Sequence, residues 1–157
     1  MKPKVYVETS VISYLTSRPN RDLIIAGNQQ ITQEWWQKRR TKYELYVSQL
    51  VVREASLGDA KAAADRLEAL REIPFIELTE EGKQLAEQLV NKGAIPLKVV
   101  EDALHIAIAT SNGMEYLLTW NFKHIANAVM RGKIEAVCRD EGYEPPVICT
   151  PQELLGG

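Results

Sequence analysis

Four polar residues stand where the surrounding chain is mostly apolar. In chain order they are Glu8, Glu54, Asp102 and Asn121. Glu8 ends an apolar segment and is followed by two hydroxyl residues, Thr9 and Ser10. Asp102 interrupts a segment that is otherwise largely apolar, and burying an unpaired charge is costly. Asp102 therefore needs a partner or a cation if its helix is buried.

Carboxylates that meet in one place would form a site for a hard divalent cation. Their negative charges repel one another and raise their pKa values unless a cation neutralises them. Oxygen ligands of this kind suit Mg²⁺ or Mn²⁺ better than zinc. Such an ion lowers the pKa of a bound water and offsets charge on a phosphoryl group, which is the chemistry of phosphodiester hydrolysis.

The same residues also have ordinary structural explanations. Glu8 and Glu54 could face water, and Asp102 could lie exposed near a helix start, where the helix dipole favours it. Asn121 could be a turn or N-cap residue, as Asn often is, and the two hydroxyls after Glu8 could cap a helix. Residue type and position do not decide between these explanations and a shared site.

Short apolar segments alternate with helical patterns, which predicts an α/β fold with a mostly parallel sheet. The strands are predicted at residues 4–8, 43–48, 75–78, 115–120 and 146–150. Helices are predicted at 11–15, 20–40, 49–56, 60–72, 80–92, 97–113 and 128–142, with N-caps at Asp59 and Thr79. Two apolar stripes are predicted to face the core, one formed by Ile24, Ile31 and Trp35 and the other by Ala63, Leu67 and Leu70. In α/β sheets, functional residues gather at the carboxyl ends of strands, where Glu8 and Asn121 are predicted to lie.

The composition is that of an ordinary globular protein and predicts one domain over residues 1–157. The net charge of −2 excludes a chain that is basic as a whole, although local basic patches could still contact phosphates. Cys138 and Cys149 have neither metal-site spacing nor a disulfide framework. The sequence contains no apolar run of membrane-spanning length and no signal-peptide core, so we expect a cytoplasmic protein without membrane attachment.

Residues 35–42, "WWQKRRTK", combine two tryptophans with four basic residues. The segment could steer RNA phosphates or present an aromatic anchor to a partner. Alternatively, one tryptophan lies in the core and the basic residues follow the end of a helix, where the dipole favours them.

His105 lies one helical turn after Asp102, so a hydrogen bond between the two is possible, and His124 lies near Asn121. Both histidines are expected to be structural or to face RNA rather than to bind metal.

Four segments together resemble the PIN-domain family, and in particular the toxin nucleases of VapBC-type toxin–antitoxin modules. They are "YVETSVISYL", "SQLVVREAS", "VVEDALHIAIATSNGMEYLLTWNFKHIAN" and "VICTPQELL", and they span Lys4 to Leu155. The resemblance implies a three-layer α/β/α fold around a mostly parallel, five-stranded sheet. It also implies Mg²⁺- or Mn²⁺-dependent endoribonuclease activity, homodimers and inhibition by a small antitoxin.

The family pattern places an Asp after the first strand, followed by Thr and then Ser or Asn. Here Glu8 takes that position, with Thr9 and Ser10 following as in the pattern. Glu54 matches the helical Glu of the family and Asp102 its buried helical Asp. By resemblance, Glu8, Glu54 and Asp102 hold the metal and Ser10 or Thr9 positions a carboxylate or a metal-bound water.

Asn121 falls where many members of the family have a further Asp, and by resemblance it orients a water on the metal. With Glu8 in place of Asp, this is the second departure from the pattern. The two departures favour a one-metal site over a two-metal site. They also leave open a PIN-like module that has lost catalysis and binds RNA or a protein partner. A phosphatase-like enzyme is disfavoured, because it would need an Asp nucleophile at the position of Glu8.

Overall fold

A computed structural model describes residues 1–156, and Gly157, the last residue of the predicted domain, lies outside the described part. Its strands are β1 (Lys4–Val7), β2 (Glu44–Tyr46), β3 (Tyr116–Leu118) and β4 (Val147–Cys149). Its α-helices are α1 (Thr9–Thr16), α2 (Leu23–Lys38), α3 (Gln49–Ala55), α4 (Ala60–Leu70), α5 (Glu80–Asn91), α6 (Val100–Ser111) and α7 (Ala128–Asp140). Short 3₁₀ turns at Arg40–Lys42 and Leu97–Val99 precede β2 and α6.

Within residues 1–156 the sheet has four parallel strands in the order β2-β1-β3-β4, so the prediction of a fifth strand at 75–78 is wrong. That segment forms a single parallel bridge, between Phe75 and Val47. The Val47 N–H donates to the Pro74 carbonyl, and the Val47 carbonyl accepts from the Ile76 N–H. The chain enters α3 two residues after Val47, so β2 offers no further residue for pairing.

The order of the strands creates a crevice at the carboxyl end of the sheet. From β1 the chain crosses to β2 on one side, whereas from β3 it crosses to β4 on the other side. Right-handed crossovers in opposite directions place the following helices on opposite faces of the sheet. The point between β1 and β3 is therefore a topological switch point, where α/β proteins bind ligands.

Both faces of the central strand are covered, which establishes the three layers. Val5, Tyr6 and Val7 are all 0 % exposed, although successive residues of a strand point to opposite faces. Helix α6 is the most buried helix, with seven of its twelve residues in the interior, as its apolar sequence predicts. No helix within residues 1–156 is both long enough and apolar enough to cross a membrane.

Details of the helices differ from the predictions at exposed positions. Asp59 and Thr79 cap α4 and α5 as predicted. Helix α2 begins later than predicted, after the N-cap Asp22. Ile24 is 76 % exposed, since the buried side of α2 is formed by Gln29, Thr32 and Trp35. The stripe on α4 is also narrower than predicted, since Leu67 is partly exposed at 37 %.

Candidate functional site

Glu8 lies at the junction of β1 and α1, and its carboxylate folds back onto the start of that helix. It is the N-cap residue of α1 and is only 6 % exposed. Its Oε2 accepts from the Ser10 N–H at 3.1 Å, and its Oε1 accepts from the Ser10 hydroxyl at 2.5 Å. The methylene that distinguishes Glu from Asp is thus accommodated by this fold-back, and Ser10 positions the carboxylate.

The loop after β3 is attached to the same carboxylate. The Thr119 hydroxyl donates to Glu8 Oε1 at 2.5 Å, and the Trp120 N–H donates to the Ser10 hydroxyl at 2.8 Å. The Glu8 N–H donates to the Leu118 carbonyl, which continues the pairing of β1 with β3. The ends of these two neighbouring strands therefore form one hydrogen-bonded unit at the switch point.

Glu54 reaches the site from α3 and lies between Thr9 and His105. Its Oε1 accepts from the Thr9 hydroxyl at 2.5 Å and from His105 Nε2 at 2.7 Å. The other ring nitrogen of His105 lies 2.8 Å from the Tyr6 hydroxyl, which lies 2.8 Å from the Ser48 hydroxyl. A buried chain of hydrogen bonds thus connects β1, α3 and α6 beneath the site.

The contact between Glu54 and His105 shifts both pKa values toward the charged forms. Burial alone would lower the pKa of His105, but the hydrogen bond to Glu54 and the charges of Glu8, Glu54 and Asp102 outweigh burial and raise it. Burial alone would raise the pKa of Glu54, yet the hydrogen bond and charge of His105, together with the Thr9 hydroxyl, lower it. His105 is 1 % exposed and Glu54 28 %, so solvent screens this pair less than a surface pair.

Asp102 lies in the first turn of α6 and is half-buried. Burial raises its pKa, a hydrogen bond with the Asn121 side chain lowers it, and the charge of Glu8 raises it, with a net increase. The Asn121 Oδ1 accepts from the His124 N–H at 3.1 Å, so the amide nitrogen is the group available to Asp102. Asn121 therefore connects Asp102 with the loop after β3.

The predicted residues lie along one edge of the sheet, but they are not equally close. Ligand atoms of Glu8, Glu54 and His105 all lie within 4.8 Å of one another. Asp102 is outside this group of three, although its pKa responds to the charges of Glu8 and His105. The possible hydrogen bond from Asp102 to His105 is replaced by the bond from Glu54 to His105.

The available donors fit a hard divalent cation. Both hydrogen bonds to Glu54 engage Oε1, so Oε2 has no hydrogen-bond partner within residues 1–156. The Glu8 Oε2 accepts one hydrogen bond and retains a lone pair. Both nitrogens of His105 are already bonded, so His105 supports Glu54 and the ligands offered are carboxylate oxygens.

Sequence reasoning did not identify three of the groups that hold the carboxylates, namely Tyr6, Ser48 and Thr119. Thr119 could have been suspected from its position between an apolar strand and Asn121. Tyr6 and Ser48 carry no such signal, because a tyrosine within a strand and a serine before a helix are common in structural roles. His105 was expected to be structural, and its position at the base of the site agrees with that expectation.

The basic and aromatic segment at 35–42 lies at the other end of the sheet. Trp35 is fully buried and stacks on Tyr43, which directly precedes β2. Trp36 is half-buried, and the Arg40 guanidinium lies 4.9 Å from its ring centre. These two residues line a cleft of about 590 Å³ that includes none of the carboxylates of the site. One tryptophan in the core and basic residues at a helix end agree with the structural explanation.

No protein-family model and no curated protein matches the sequence. Among solved structures, the chain resembles the Mycobacterium tuberculosis toxin VapC20, described as cleaving the sarcin–ricin loop. That match has a TM-score of 0.58 and 16 % identity, and it covers 79 % of this chain and 95 % of the other. The chain also resembles a structure of VapBC2 from Rickettsia felis bound to a fragment of promoter DNA. That match has a TM-score of 0.57 and 12 % identity, and it covers 94 % of this chain and 98 % of the other. These likenesses confirm the predicted α/β fold, which this chain shares with proteins of the VapC type.

Proposed function

We propose that the protein is a Mg²⁺- or Mn²⁺-dependent endoribonuclease and the toxin of a toxin–antitoxin pair. The observation that carries this proposal is the meeting of Glu8 and Glu54 at the carboxyl end of the sheet, with Asp102 close enough for the charge of Glu8 to act on it. Carboxylates in a ligand-binding crevice, on a fold shared with VapC proteins, support a metal-dependent nuclease.

In this proposal Glu8, Glu54 and Asp102 hold the metal, directly or through waters. A bound Mg²⁺ or Mn²⁺ would lower the pKa of a water and offset negative charge on the phosphate. Ser10 and Thr9 hold the carboxylates in place through their hydroxyl groups. Asn121 keeps Asp102 oriented and offers its amide to a water at the site.

The charge balance favours a single metal ion. With His105 protonated, the direction in which its pKa is shifted, three ionised carboxylates leave two negative charges, which one divalent cation neutralises. Asn121 adds no charge where an Asp would add one, so a second divalent ion would meet less negative charge. His105 therefore takes a defined role, which is to hold Glu54 and to reduce repulsion among the acids before metal arrives.

The proposed partners follow from the proposed activity. The substrate is RNA, since the similar VapC20 is described as cleaving the sarcin–ricin loop. The similar VapBC2 structure supports a small antitoxin as the second partner. We further propose that the protein forms a homodimer and acts in the cytoplasm, where its RNA substrate would be found.

A second candidate function is a metal-free module that binds RNA or a protein partner. The hydrogen bonds that already satisfy Glu8 and Glu54 favour it, because these carboxylates are partly neutralised without a cation. The free oxygen of Glu54 and the raised pKa of Asp102 oppose it. An unbonded carboxylate oxygen and a carboxyl group with a raised pKa are both expected in a site that is stabilised when a cation binds.

RNA cleavage by the purified protein tests the proposal. We expect cleavage of single-stranded RNA with Mg²⁺ or Mn²⁺ and none with chelator. Asp102→Asn should lower the rate at saturating metal by about 100-fold or more, since it removes a proposed metal ligand. Glu101→Gln, which removes an exposed carboxylate one residue away, should leave the rate unchanged. Cleavage by Asp102→Asn as fast as by the parent would contradict the nuclease proposal.

A further inference from the structure

Phe122 follows the proposed metal site in the chain and exposes half of its surface, at 51 %. Isolated exposed apolar residues are common and need no explanation. Phe122 differs because it lies in the loop after β3, next to Asn121, which bonds to Asp102. An exposed aromatic ring in this loop is separated by one residue in the chain from Trp120, whose N–H donates to the Ser10 hydroxyl at the site.

The ring is supported from beneath by other aromatic residues. Phe122 packs edge-on against Trp120, with ring centres 5.9 Å apart and planes at 66°. Trp120 is 4 % exposed, stacks on Tyr14 at 5.7 Å, and donates from its indole nitrogen to the Thr32 hydroxyl at 2.7 Å. An edge-on contact leaves at least one face of the Phe122 ring uncovered, so the ring is held in place and open to stacking.

The loop is also fixed to the carboxylates, so the position of Phe122 depends on the site. The Trp120 N–H donates to the hydroxyl of Ser10, which itself donates to Glu8. The Asn121 carbonyl accepts from the N–H groups of Ile125 and Ala126, which closes the loop two residues beyond His124. Phe122 therefore lies in a turn that is closed by backbone hydrogen bonds and is connected through Trp120 and Ser10 to Glu8.

The neighbouring charges favour nucleic acid as the occupant. Lys123 is exposed and forms no ion pair within residues 1–156. An aromatic ring beside an unpaired cation is the combination that binds single-stranded nucleic acid, in which bases stack and phosphates meet positive charge. Lysine is depleted in protein–protein interfaces, which argues against a protein anchor here.

We infer that Phe122 is a stacking platform for a nucleobase that flanks the scissile phosphate. This inference rests on the proposed nuclease function and specifies its substrate as single-stranded RNA, because a paired base has no free face. The contact is sequence-tolerant, since every base offers a π-face. Phe122 thereby selects for unpaired RNA and positions it, while the carboxylates act on the phosphate.

Two measurements test the inference, and both use single-stranded RNA of about 12 nucleotides. The first is the dissociation constant in chelator at low ionic strength, where phosphate contacts are strongest. The second is kcat and KM for cleavage with Mn²⁺. We expect Phe122→Ala to raise the dissociation constant and KM by about 5- to 150-fold, the effect of losing one base stack, whereas kcat changes little. Phe122→Trp should restore both within about threefold.

The other phenylalanine of the chain provides a matched control. Phe75 is 49 % exposed, nearly the same as Phe122, and lies at the bridge to Val47. Phe75→Ala should bind and cleave RNA like the parent. Replacing single nucleotides of the RNA by abasic ones identifies the stacked base. At one position the abasic nucleotide should weaken RNA binding by the parent, whereas it should not weaken binding by Phe122→Ala any further, as in a double-mutant cycle.

The outcomes separate the inference from the proposed function. If the parent cleaves RNA and Phe122→Ala matches it in affinity and KM, the inference is overturned, the nuclease stands, and Phe122 is left to anchor a protein partner. If the parent binds RNA without cleaving it and Phe122→Ala binds more weakly, the nuclease fails and the stacking role stands. A parent that neither cleaves nor binds RNA overturns both.

Discussion

Replacing Glu54 by Gln should destabilise the protein in a pH-dependent way when no metal is present. The substitution keeps the shape and an acceptor oxygen for Thr9 but removes the charge that faces His105 at 2.7 Å. His105 is 1 % exposed, so it cannot recover its lost partner from solvent. Without that partner, burial lowers the pKa of His105 against the remaining charges of Glu8 and Asp102 only, so the neutral ring becomes more favourable.

The size of the effect follows from the hydrogen bond and its charges. A hydrogen bond between charged groups contributes about 1.5–3 kcal/mol, and one between neutral groups about 1 kcal/mol. Glu54 is 28 % exposed, which screens the pair in part and places the expected loss near 2 kcal/mol. That loss lowers the urea midpoint by about 1 M for a slope near 2 kcal/mol per M.

The direction of the pH dependence follows from the two pKa shifts. The raised pKa of His105 contributes stability that is fully present below its unfolded value and is lost as pH rises through its folded value. The lowered pKa of Glu54 contributes stability that is present above its unfolded value and is lost as pH falls through its folded value. The difference in the free energy of unfolding between the parent and Glu54→Gln is therefore largest at pH values between the unfolded pKa values of Glu54 and His105, and it is smaller at alkaline pH.

Urea unfolding in chelator at about pH 6 and about pH 9.5 measures this difference. We expect Glu54→Gln to lower the free energy of unfolding by about 2 kcal/mol at the lower pH and by about 1 kcal/mol or less at the higher pH. Glu68→Gln is the control, because it breaks an exposed ion pair with Arg71 and should cost less than about 1 kcal/mol at both pH values. An equal cost of Glu54→Gln at the two pH values would refute the ionised pair.

Three further outcomes are expected. In chelator near neutral pH, Asp102→Asn should raise the free energy of unfolding by up to about 1 kcal/mol, because the raised pKa of Asp102 makes its ionised form a cost in the folded state. Urea unfolding should show this gain shrink as pH falls below the raised pKa and vanish below the unfolded pKa, and a loss of stability near neutral pH would contradict it. Ser10→Ala removes a donor to Glu8 and the acceptor of the Trp120 N–H. Calorimetry should therefore show a free energy of unfolding that is lower by about 3 kcal/mol, and a Tm that is lower by about 6–12 °C. Ser13→Ala is its control, since the Ser13 hydroxyl bonds to no residue within 1–156; equal losses would refute the role of Ser10. Mn²⁺ at about 100 times its Kd should stabilise the parent by about 2.7 kcal/mol and Asp102→Asn much less, as measured by thermal unfolding. Equal stabilisation of the two proteins would place the metal elsewhere.

The sequence was informative where a residue type conflicts with its surroundings. Glu8 at the end of an apolar strand and Asp102 in the apolar helix α6 could be selected because a carboxylate among apolar residues needs a reason. The alternation of strands and helices likewise predicted a parallel α/β sheet, since it follows from local patterns. The strand at 75–78 was predicted from the same kind of pattern and failed, because pairing depends on how far β2 extends.

The contacts that assemble the site could not be predicted in this way. Thr119 and Glu8 are 111 residues apart, and Tyr6 and His105 are 99 apart, so their meeting depends on the order of the strands. Strand order follows from the packing of all the helices and has no local signal. His105 could be linked by spacing to Asp102 one turn away, whereas the fold pairs it with Glu54 on another helix.

Titration of Mn²⁺ into the metal-free protein tests the central claim, that Glu8, Glu54 and Asp102 together bind one divalent cation. Calorimetry on the parent should give one bound ion per chain. Asp102→Asn should weaken binding by about 10-fold or more, while Glu101→Gln should bind like the parent. No measurable binding by the parent, or equal affinity in the parent and Asp102→Asn, would contradict the claim.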